Sequence, residues 1–136
     1  MIRGVGSDLV EVSRIARALE RHGERFLRRV FTPAEAWGAG GILPAESLAA
    51  RFAAKEAVLK ALGTGWAWGA RWTDVEVLGG RGGPPAARLH GAAHQRALAL
   101  GVRWVHLSLT HDAGLALAFA VLEGEEADMG PGSARA

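Results

Sequence analysis

The residues Val105–Leu122, VHLSLTHDAGLALAFAVL, decide the fold class of this chain. Two segments with the pattern of strands, Val105–Thr110 and Leu115–Leu122, flank the polar and small residues His111–Gly114. Two runs of strand length around such a turn are typical of a β-hairpin. The sequence therefore predicts a pair of antiparallel strands late in the chain.

Two further regions have the pattern of strands. The segment Ile2–Val10 alternates apolar residues with polar or small ones, and its glycines would let another backbone approach one face closely. The apolar run Val75–Leu78 precedes Gly79–Pro85, whose composition predicts a turn, and Ala87–His90 is the expected return strand. We therefore expect all the strands to pair in an antiparallel manner.

The first half of the chain also carries helix signals. Ser13 is placed to cap a helix, which Gly23 would break in two. Thr32–Glu35 has the pattern of a capping box with proline at the first helical position, so another helix should start there. The glycines and alanines between Trp37 and Leu43 predict a poorly specified loop.

Two later segments complete the expected helices. Glu46–Leu62 is rich in alanine and is followed by Gly63, a residue suited to the left-handed helix end. A shorter helix from about Ala92 to Leu100 should end at Gly101. The predicted fold class is α+β, with an antiparallel sheet packed against helices.

Composition limits the kind of protein this can be. The chain has 136 residues, of which 49% are hydrophobic and 22% charged, so we expect one folded domain over residues 1–123 and a flexible tail over 124–136. No run of about 18 apolar residues exists, and no secretory signal is visible, so we expect a cytoplasmic protein that does not bind membranes. The absence of cysteine excludes disulfides, cysteine zinc sites and a thiol nucleophile.

The positive charge is mostly arginine and is concentrated on the first helical segment. Five arginines fall within an arc of roughly 80° at helical spacing, and this face suggests an acidic partner. Nucleic acid and an acidic protein both fit that description, and a break at Gly23 would divide the stripe. The five are Arg14, Arg17, Arg21, Arg25 and Arg28.

Two acidic residues are candidates for a metal–phosphate site. Asp8 lies near the end of the first strand, and Glu56 lies within the long helix between the only two lysines, Lys55 and Lys60. Magnesium binds through one or two carboxylates and takes its other ligands from water and phosphate oxygens. The alternative is that Glu56 and Lys60 are an ordinary helix pair four residues apart.

Other polar positions are open to two interpretations. His111 should lie at the hairpin turn, as a ligand contact or as a histidine bonded to backbone. Gly63–Gly65 could let a phosphate approach the backbone or could simply cap the helix. His90 and His94 would share a helical face only if that helix starts early.

Short motifs recur along nearly the whole chain, from Ile2 to about Glu123. The most specific block is RFAAKEA at Arg51–Ala57, continued by Lys60, Ala61 and Gly63–Gly65. The others are Gly4–Glu11 with Arg14 and Ile15, Phe31–Thr32 with Glu35, and Val105–His111 followed by the alanine-rich strand. Together these motifs resemble those of the holo-acyl-carrier-protein synthases, which are small phosphopantetheinyl transferases.

The resemblance implies a fold, an activity and a set of site residues. It implies the 4′-phosphopantetheinyl transferase-like fold and the transfer of the 4′-phosphopantetheine arm of coenzyme A to a serine of apo acyl carrier protein, which releases adenosine 3′,5′-bisphosphate. By matching motif, Asp8 and Glu56 would hold Mg²⁺ against the coenzyme A diphosphate, with Lys60 as the third catalytic residue. Contacts to coenzyme A are implied for Arg51, Lys55, Lys60 and His111 at its phosphates, and for Gly63, Thr64 and Gly65 beside its nucleotide.

The resemblance also implies partners. It implies a homotrimer with active sites between protomers. Acyl carrier proteins are acidic, so Arg14 and Arg21 are the expected docking residues. The competing hypothesis is a non-enzymatic basic module that binds nucleic acid through its arginine helix. The carboxylates of Asp8 and Glu56 argue against the nucleic-acid-binding module, because they would repel phosphate unless a divalent metal lay between them and the phosphate.

Overall fold

In the computed structural model, residues 1–63, 69–80 and 82–126 are described. They form five α-helices, a 3₁₀ helix at Trp72–Asp74 and seven strands. The helices are α1 Val12–His22, α2 Glu24–Val30, α3 Pro33–Ala36, α4 Ala45–Leu62 and α5 Gly91–Leu100. The strands are β1 Ile2–Glu11, β2 Trp37–Gly38, β3 Gly41–Ile42, β4 Val75–Gly79, β5 Pro85–Leu89, β6 Trp104–Asp112 and β7 Leu115–Glu123.

The main sheet has three antiparallel strands in the order β1-β7-β6. The predicted hairpin is confirmed, but its turn is shorter than the expected four residues. Ala113 (φ 51°) and Gly114 (φ 77°) alone make the connection, because two consecutive residues with positive φ form the tight turn that suits twisted strands. His111 consequently lies inside β6, where it pairs with Ala116 of β7.

Helix α4 lies very close to β1 because glycines face it. A Cβ atom added at Gly6 would lie 2.0 Å from the carbonyl oxygen of Ala57, and one added at Gly4 would lie 2.2 Å from that of Ala61. On the neighbouring strand β7, the residues that pair with Gly6 and Asp8 are the small, fully buried Ala120 and Ala118. This backbone-to-backbone approach confirms the expectation from the β1 glycines, and it sets the distance between residues on β1 and on α4.

The predicted second strand pair is β4–β5, a separate two-stranded sheet. The expected loop at Trp37–Leu43 contains a very short hairpin, β2–β3, so this segment has more regular structure than its composition indicates. The capping box is confirmed, since the Thr32 amide donates to Glu35 Oε1 at 2.9 Å, although α3 extends for only four residues.

The first helical segment differs from its prediction in two respects. Helix α1 begins at Val12, directly after β1, so Ser13 lies within the first turn and does not cap the helix. Gly23 has φ 53° and separates α1 from α2, as its position predicted. The arginine stripe is therefore divided between two helices, with Arg14, Arg17 and Arg21 on α1.

Two residues just past the expected domain boundary at residue 123 contact the start of the chain. The terminal ammonium of Met1 donates to the carbonyl oxygen of Gly124 at 2.7 Å, and Arg3 donates to that of Glu125 at 3.0 Å. Residues 127–136 of the expected tail lie outside the described residues. In the described part of the chain, no helix is long and apolar enough to cross a membrane.

Candidate active site

Strand β1 and helix α4 bring Asp8 and Glu56 together. Asp8 follows Gly6 by two residues on the same face of β1, and Glu56 directly precedes Ala57, which contacts Gly6. Burial raises the pKa of Glu56, and the Asp8 carboxylate raises it further. The close approach of the two backbones thus places two carboxylates from distant parts of the sequence beside each other.

Two cations border this carboxylate pair. Lys60 Nζ donates to Asp8 Oδ1 at 2.9 Å and to the carbonyl oxygen of Ser7 at 3.1 Å, so it bridges α4 to β1. Arg14 lies close enough to lower the pKa of Glu56, as Lys60 does, and its guanidinium is 5.7 Å from the centre of the Phe52 ring. We call Asp8, Glu56, Lys60 and Arg14 the carboxylate cluster.

The carboxylate cluster has the chemistry that a hard divalent cation requires. Two adjacent carboxylates repel each other, and burial penalises the charge of Glu56, so a cation between them would relieve both effects. Within residues 1–63, 69–80 and 82–126, no group of three or more His, Cys, Asp or Glu is arranged to hold a metal ion. Apart from Asp8 and Glu56, an ion held there would therefore need ligands other than the acidic and histidine residues that the structure describes.

A second group of predicted residues lines a cavity of about 470 Å³. Arg51 of α4 and His111 of β6 both contribute to its wall, together with glycines at the end of β4 and in the loop that follows. Ser47 lines it too and was missed by the sequence analysis; its position one helical turn before Arg51 is the signal that could have revealed it. We call this space the Arg51–His111 cavity.

The carboxylate cluster and the Arg51–His111 cavity are separate, since no residue of the cluster lines the cavity. Arg51 and Glu56 are five positions apart, so they point about 140° apart around α4. Asp8 is on β1 and His111 is on β6, which are the two outer strands of the main sheet. One chain therefore does not bring all the predicted site residues into one pocket.

Lys55 contributes neither to the carboxylate cluster nor to the surface of the Arg51–His111 cavity. Its side chain is fully buried, and its Nζ donates to Glu35 Oε1 at 2.6 Å, to the carbonyl oxygen of Trp72 at 3.0 Å and to that of Val75. The expected phosphate contact is therefore not available in this arrangement. Burial lowers the pKa of Lys55, and the Glu35 carboxylate opposes that shift.

The remaining predicted residues have simpler surroundings. Gly63 is left-handed (φ 68°) and its amide donates to the Lys60 carbonyl oxygen at 3.0 Å, which is a helix cap; Thr64 and Gly65 lie outside the described residues. Arg21 is exposed near the end of α1. His90 precedes α5, and its Nε2 lies 3.3 Å from Glu76 Oε1, so it does not share a helical face with His94.

Comparison with known proteins assigns the class. The sequence pattern of the 4′-phosphopantetheinyl transferase superfamily matches residues 4–120. Because this match spans most of the sequence, the chain belongs to that superfamily of transferases. The resemblance inferred from the motifs is thereby confirmed.

Three relatives show which members of the superfamily this chain is similar to. The holo-(acyl-carrier-protein) synthase of Solibacter usitatus (strain Ellin6076) is 50% identical over 124 residues, which cover 90% of this chain and 99% of that protein. The crystal structure of holo-(acyl-carrier-protein) synthase from Neisseria meningitidis has a TM-score of 0.77 and 34% identity, covering 90% of this chain and 99% of that one. The Helicobacter pylori synthase in complex with coenzyme A has a TM-score of 0.76 and 28% identity, covering 88% and 99%. These structures confirm the predicted α+β fold.

Proposed function

We propose that this protein transfers the 4′-phosphopantetheine group of coenzyme A to a serine of an apo acyl carrier protein and releases adenosine 3′,5′-bisphosphate. The observation that carries the proposal is the carboxylate cluster, in which Asp8 and Glu56 meet beside Lys60 in a chain of the phosphopantetheinyl transferase superfamily. The named activity of the Solibacter usitatus relative and the coenzyme A bound by the Helicobacter pylori relative support the same substrates.

Asp8 and Glu56 are the residues that would hold Mg²⁺. When bound there, the ion would offset the negative charge of a diphosphate and keep the reacting groups in place. Its other ligands would be water and phosphate oxygens, the usual arrangement for magnesium held by few protein groups.

The chain's own cations have separate tasks in this proposal. The serine oxygen forms a bond to the β-phosphorus as the bond to the departing adenosine bisphosphate breaks, and the serine hydroxyl gives its proton to the Glu56 carboxylate or to a water molecule. Lys60, held against Asp8 at 2.9 Å, stabilises the negative charge that gathers on the phosphate oxygens. Arg51 and His111 bind coenzyme A phosphates within their cavity.

We propose further that the complete site forms between copies of this chain in a homotrimer. The carboxylate cluster and the Arg51–His111 cavity lie at opposite edges of the sheet, so the cluster of one copy would face the cavity of the next. The outer sheet face supports this arrangement, because Val5 is 63%, Leu9 59% and Phe119 52% exposed. An apolar face of this kind on adjacent strands is typical of a surface that another protein covers.

The carrier protein is proposed to dock on α1. Arg21 is exposed there, and Arg14, on the same helix, belongs to the carboxylate cluster. An acidic partner bound to α1 would therefore present its serine near the site. Nucleic acid is not a proposed partner, because a module that binds it through arginines has no use for Asp8 and Glu56, which would repel phosphate unless a divalent metal lay between them. A cytoplasmic location stays a prediction of the sequence.

The direct test is to incubate the protein with coenzyme A, Mg²⁺ and an apo acyl carrier protein and to measure the intact mass of the carrier. We expect the carrier to gain the mass of one phosphopantetheine, and to gain nothing when a chelator replaces Mg²⁺ or when the acceptor serine is alanine. A carrier that a second transferase modifies, but that this protein leaves unchanged in the presence of Mg²⁺, would contradict the proposal.

A further inference from the structure

The buried ion pair Glu35–Lys55 has no role in the proposed reaction, yet it is fully shielded from solvent. Besides Lys55, Glu35 Oε1 accepts the Thr32 amide at 2.9 Å, and Oε2 accepts the Val77 amide at 2.8 Å. Lys55 adds bonds to two backbone carbonyl oxygens, one of them that of Val75. This single pair therefore joins α3, α4 and β4.

Three hydrogen bonds from side chains follow one another along one edge of β4. Val75, Val77 and Gly79 are alternate residues of one strand, so their backbone polar groups point to the same edge. At that edge the Val75 carbonyl oxygen accepts from Lys55, and the Val77 amide donates to Glu35. The Gly79 carbonyl oxygen accepts from Arg51 Nη2 at 3.1 Å. Side chains from α3 and α4 thus occupy the open edge of β4.

The Arg51 guanidinium is held by two hydrogen bonds to the segments that these contacts join. Its Nη1 donates to the backbone carbonyl oxygen of Glu35 at 2.8 Å, and its Nη2 bonds to β4 as described. Both acceptors belong to segments that the Glu35–Lys55 pair holds together. A shift of α3 against β4 would therefore move both acceptors of the guanidinium that lines the coenzyme A cavity.

We propose that Glu35 and Lys55 are positioning residues, which fix α3 and β4 so that their carbonyl oxygens hold the Arg51 guanidinium in place for a coenzyme A phosphate. This inference rests on the proposed function, because it takes the phosphate contact of Arg51 from there. A role in stability alone explains the pair less well, since apolar residues of similar volume are often equally stabilising at a buried site. Apolar side chains would make no bonds to the open edge of β4.

The test measures kcat and the KM values for coenzyme A and for carrier protein in three variants: Lys55→Met, the uncharged double variant Glu35→Gln with Lys55→Met, and Arg51→Ala. The double variant is included because Lys55→Met alone leaves a buried charge unpaired and could prevent folding. We expect each variant to raise the KM for coenzyme A about tenfold and to leave the KM for carrier protein nearly unchanged. Leu122→Ala, in the buried core of β7, is the control, which should lose stability without changing either KM.

The decisive comparison adds Lys55→Met, or the uncharged double variant, to Arg51→Ala. If the pair acts through Arg51, the added substitutions change the KM for coenzyme A little, because the group that they position is already gone. Equal effects with and without Arg51 would overturn the inference, as would an unchanged KM for coenzyme A in the double variant. If Arg51→Ala itself leaves that KM unchanged, the proposed phosphate contact fails and the inference fails with it.

Discussion

At the scale of single residues, Glu56 serves the proposed reaction at a cost to the fold. Burial and the neighbouring Asp8 both raise its pKa, so its charged form is destabilised in the folded chain when no metal is present. A charge that costs stability and has a use only with ligand bound is typical of a functional site.

We expect Glu56→Gln to reduce transfer by about 100-fold, because it removes one of the two carboxylates that would hold Mg²⁺. In chelator, the same variant should unfold at a higher temperature than the original chain at neutral pH. Because the folded pKa is raised above its ordinary value of 4.5, the original chain loses stability as pH rises through the raised pKa, and the variant does not. The advantage of the variant should therefore vanish below about pH 4.5.

The matched control is Glu46→Gln, which removes an exposed carboxylate from the same helix. It should leave the transfer rate unchanged, because it removes no charge from the carboxylate cluster. A Glu56→Gln variant that transfers at the original rate at limiting Mg²⁺ would contradict the role given to this residue.

The two lysines show what the sequence could and could not predict at this scale. Both flank Glu56, and spacing along a helix relates Lys55 to Arg51 in the same way as Lys60 to Glu56. The structure separates them, since Lys60 is exposed beside Asp8 and Lys55 is buried against Glu35. Helical spacing predicts the direction of a side chain but not which elements pack over it. Here α3 and β4 pack over Lys55 and leave Lys60 exposed.

At the scale of elements, the contact between β1 and α4 depends on two glycines. Gly6→Ala would place a Cβ atom 2.0 Å from the Ala57 carbonyl oxygen, so backbone has to move. We expect a loss of about 3 kcal/mol in the free energy of unfolding and weaker transfer, since the gap between Asp8 and Glu56 would widen. Urea denaturation measures the first effect and the mass assay the second.

Gly40→Ala is the control for this prediction, because a Cβ atom at Gly40 would meet nothing within 4 Å. Its denaturation midpoint should stay near that of the original chain. If the Gly6→Ala and Gly40→Ala variants were equally stable, the close approach of β1 and α4 would not be required for the fold.

Helix α1 carries the prediction on carrier docking. Arg21→Glu should raise the KM for carrier protein about tenfold through like-charge repulsion, while the KM for coenzyme A stays the same. The effect should shrink at high salt because exposed charges are screened. Arg14→Glu tests docking less cleanly, since Arg14 also acts on Glu56.

Arg28→Glu makes the same charge change on α2, where Arg28 already pairs with Glu24 at 3.3 Å. Its effect on the KM for carrier protein should be smaller than that of Arg21→Glu. Equal effects of the two variants would mean that general charge attraction, and not docking on α1, explains the arginines.

Element boundaries were predictable where local chemistry sets them. Gly63 and Gly101 end α4 and α5 in the left-handed conformation, and Gly23 divides the first helical segment. The start of α1 was not predictable from Ser13, because β1 continues to Glu11 and the Val12 amide bonds to the Gly114 carbonyl oxygen of the hairpin turn at 2.9 Å. That contact comes from a distant part of the chain and leaves no local signal.

At the scale of the whole molecule, the sheet separates the two parts of the proposed site. The motifs predicted that Asp8 and Glu56 converge and that Arg51 and His111 bind one substrate, but they carry no information on which edge of the sheet each group occupies. Strand order determines that, since β7 lies between β1 and β6. We therefore propose that the carboxylate cluster of one copy acts with the Arg51–His111 cavity of another.

Mixing two defective chains tests this claim most directly. Glu56→Gln and Arg51→Ala chains with different tags are co-expressed, the mixed oligomer is purified through both tags, and transfer to carrier protein is followed by intact mass at limiting coenzyme A. We predict that the mixed oligomer is clearly more active than either variant alone, because some sites then pair an intact Glu56 with an intact Arg51. A mixed oligomer no more active than its parents would contradict the account.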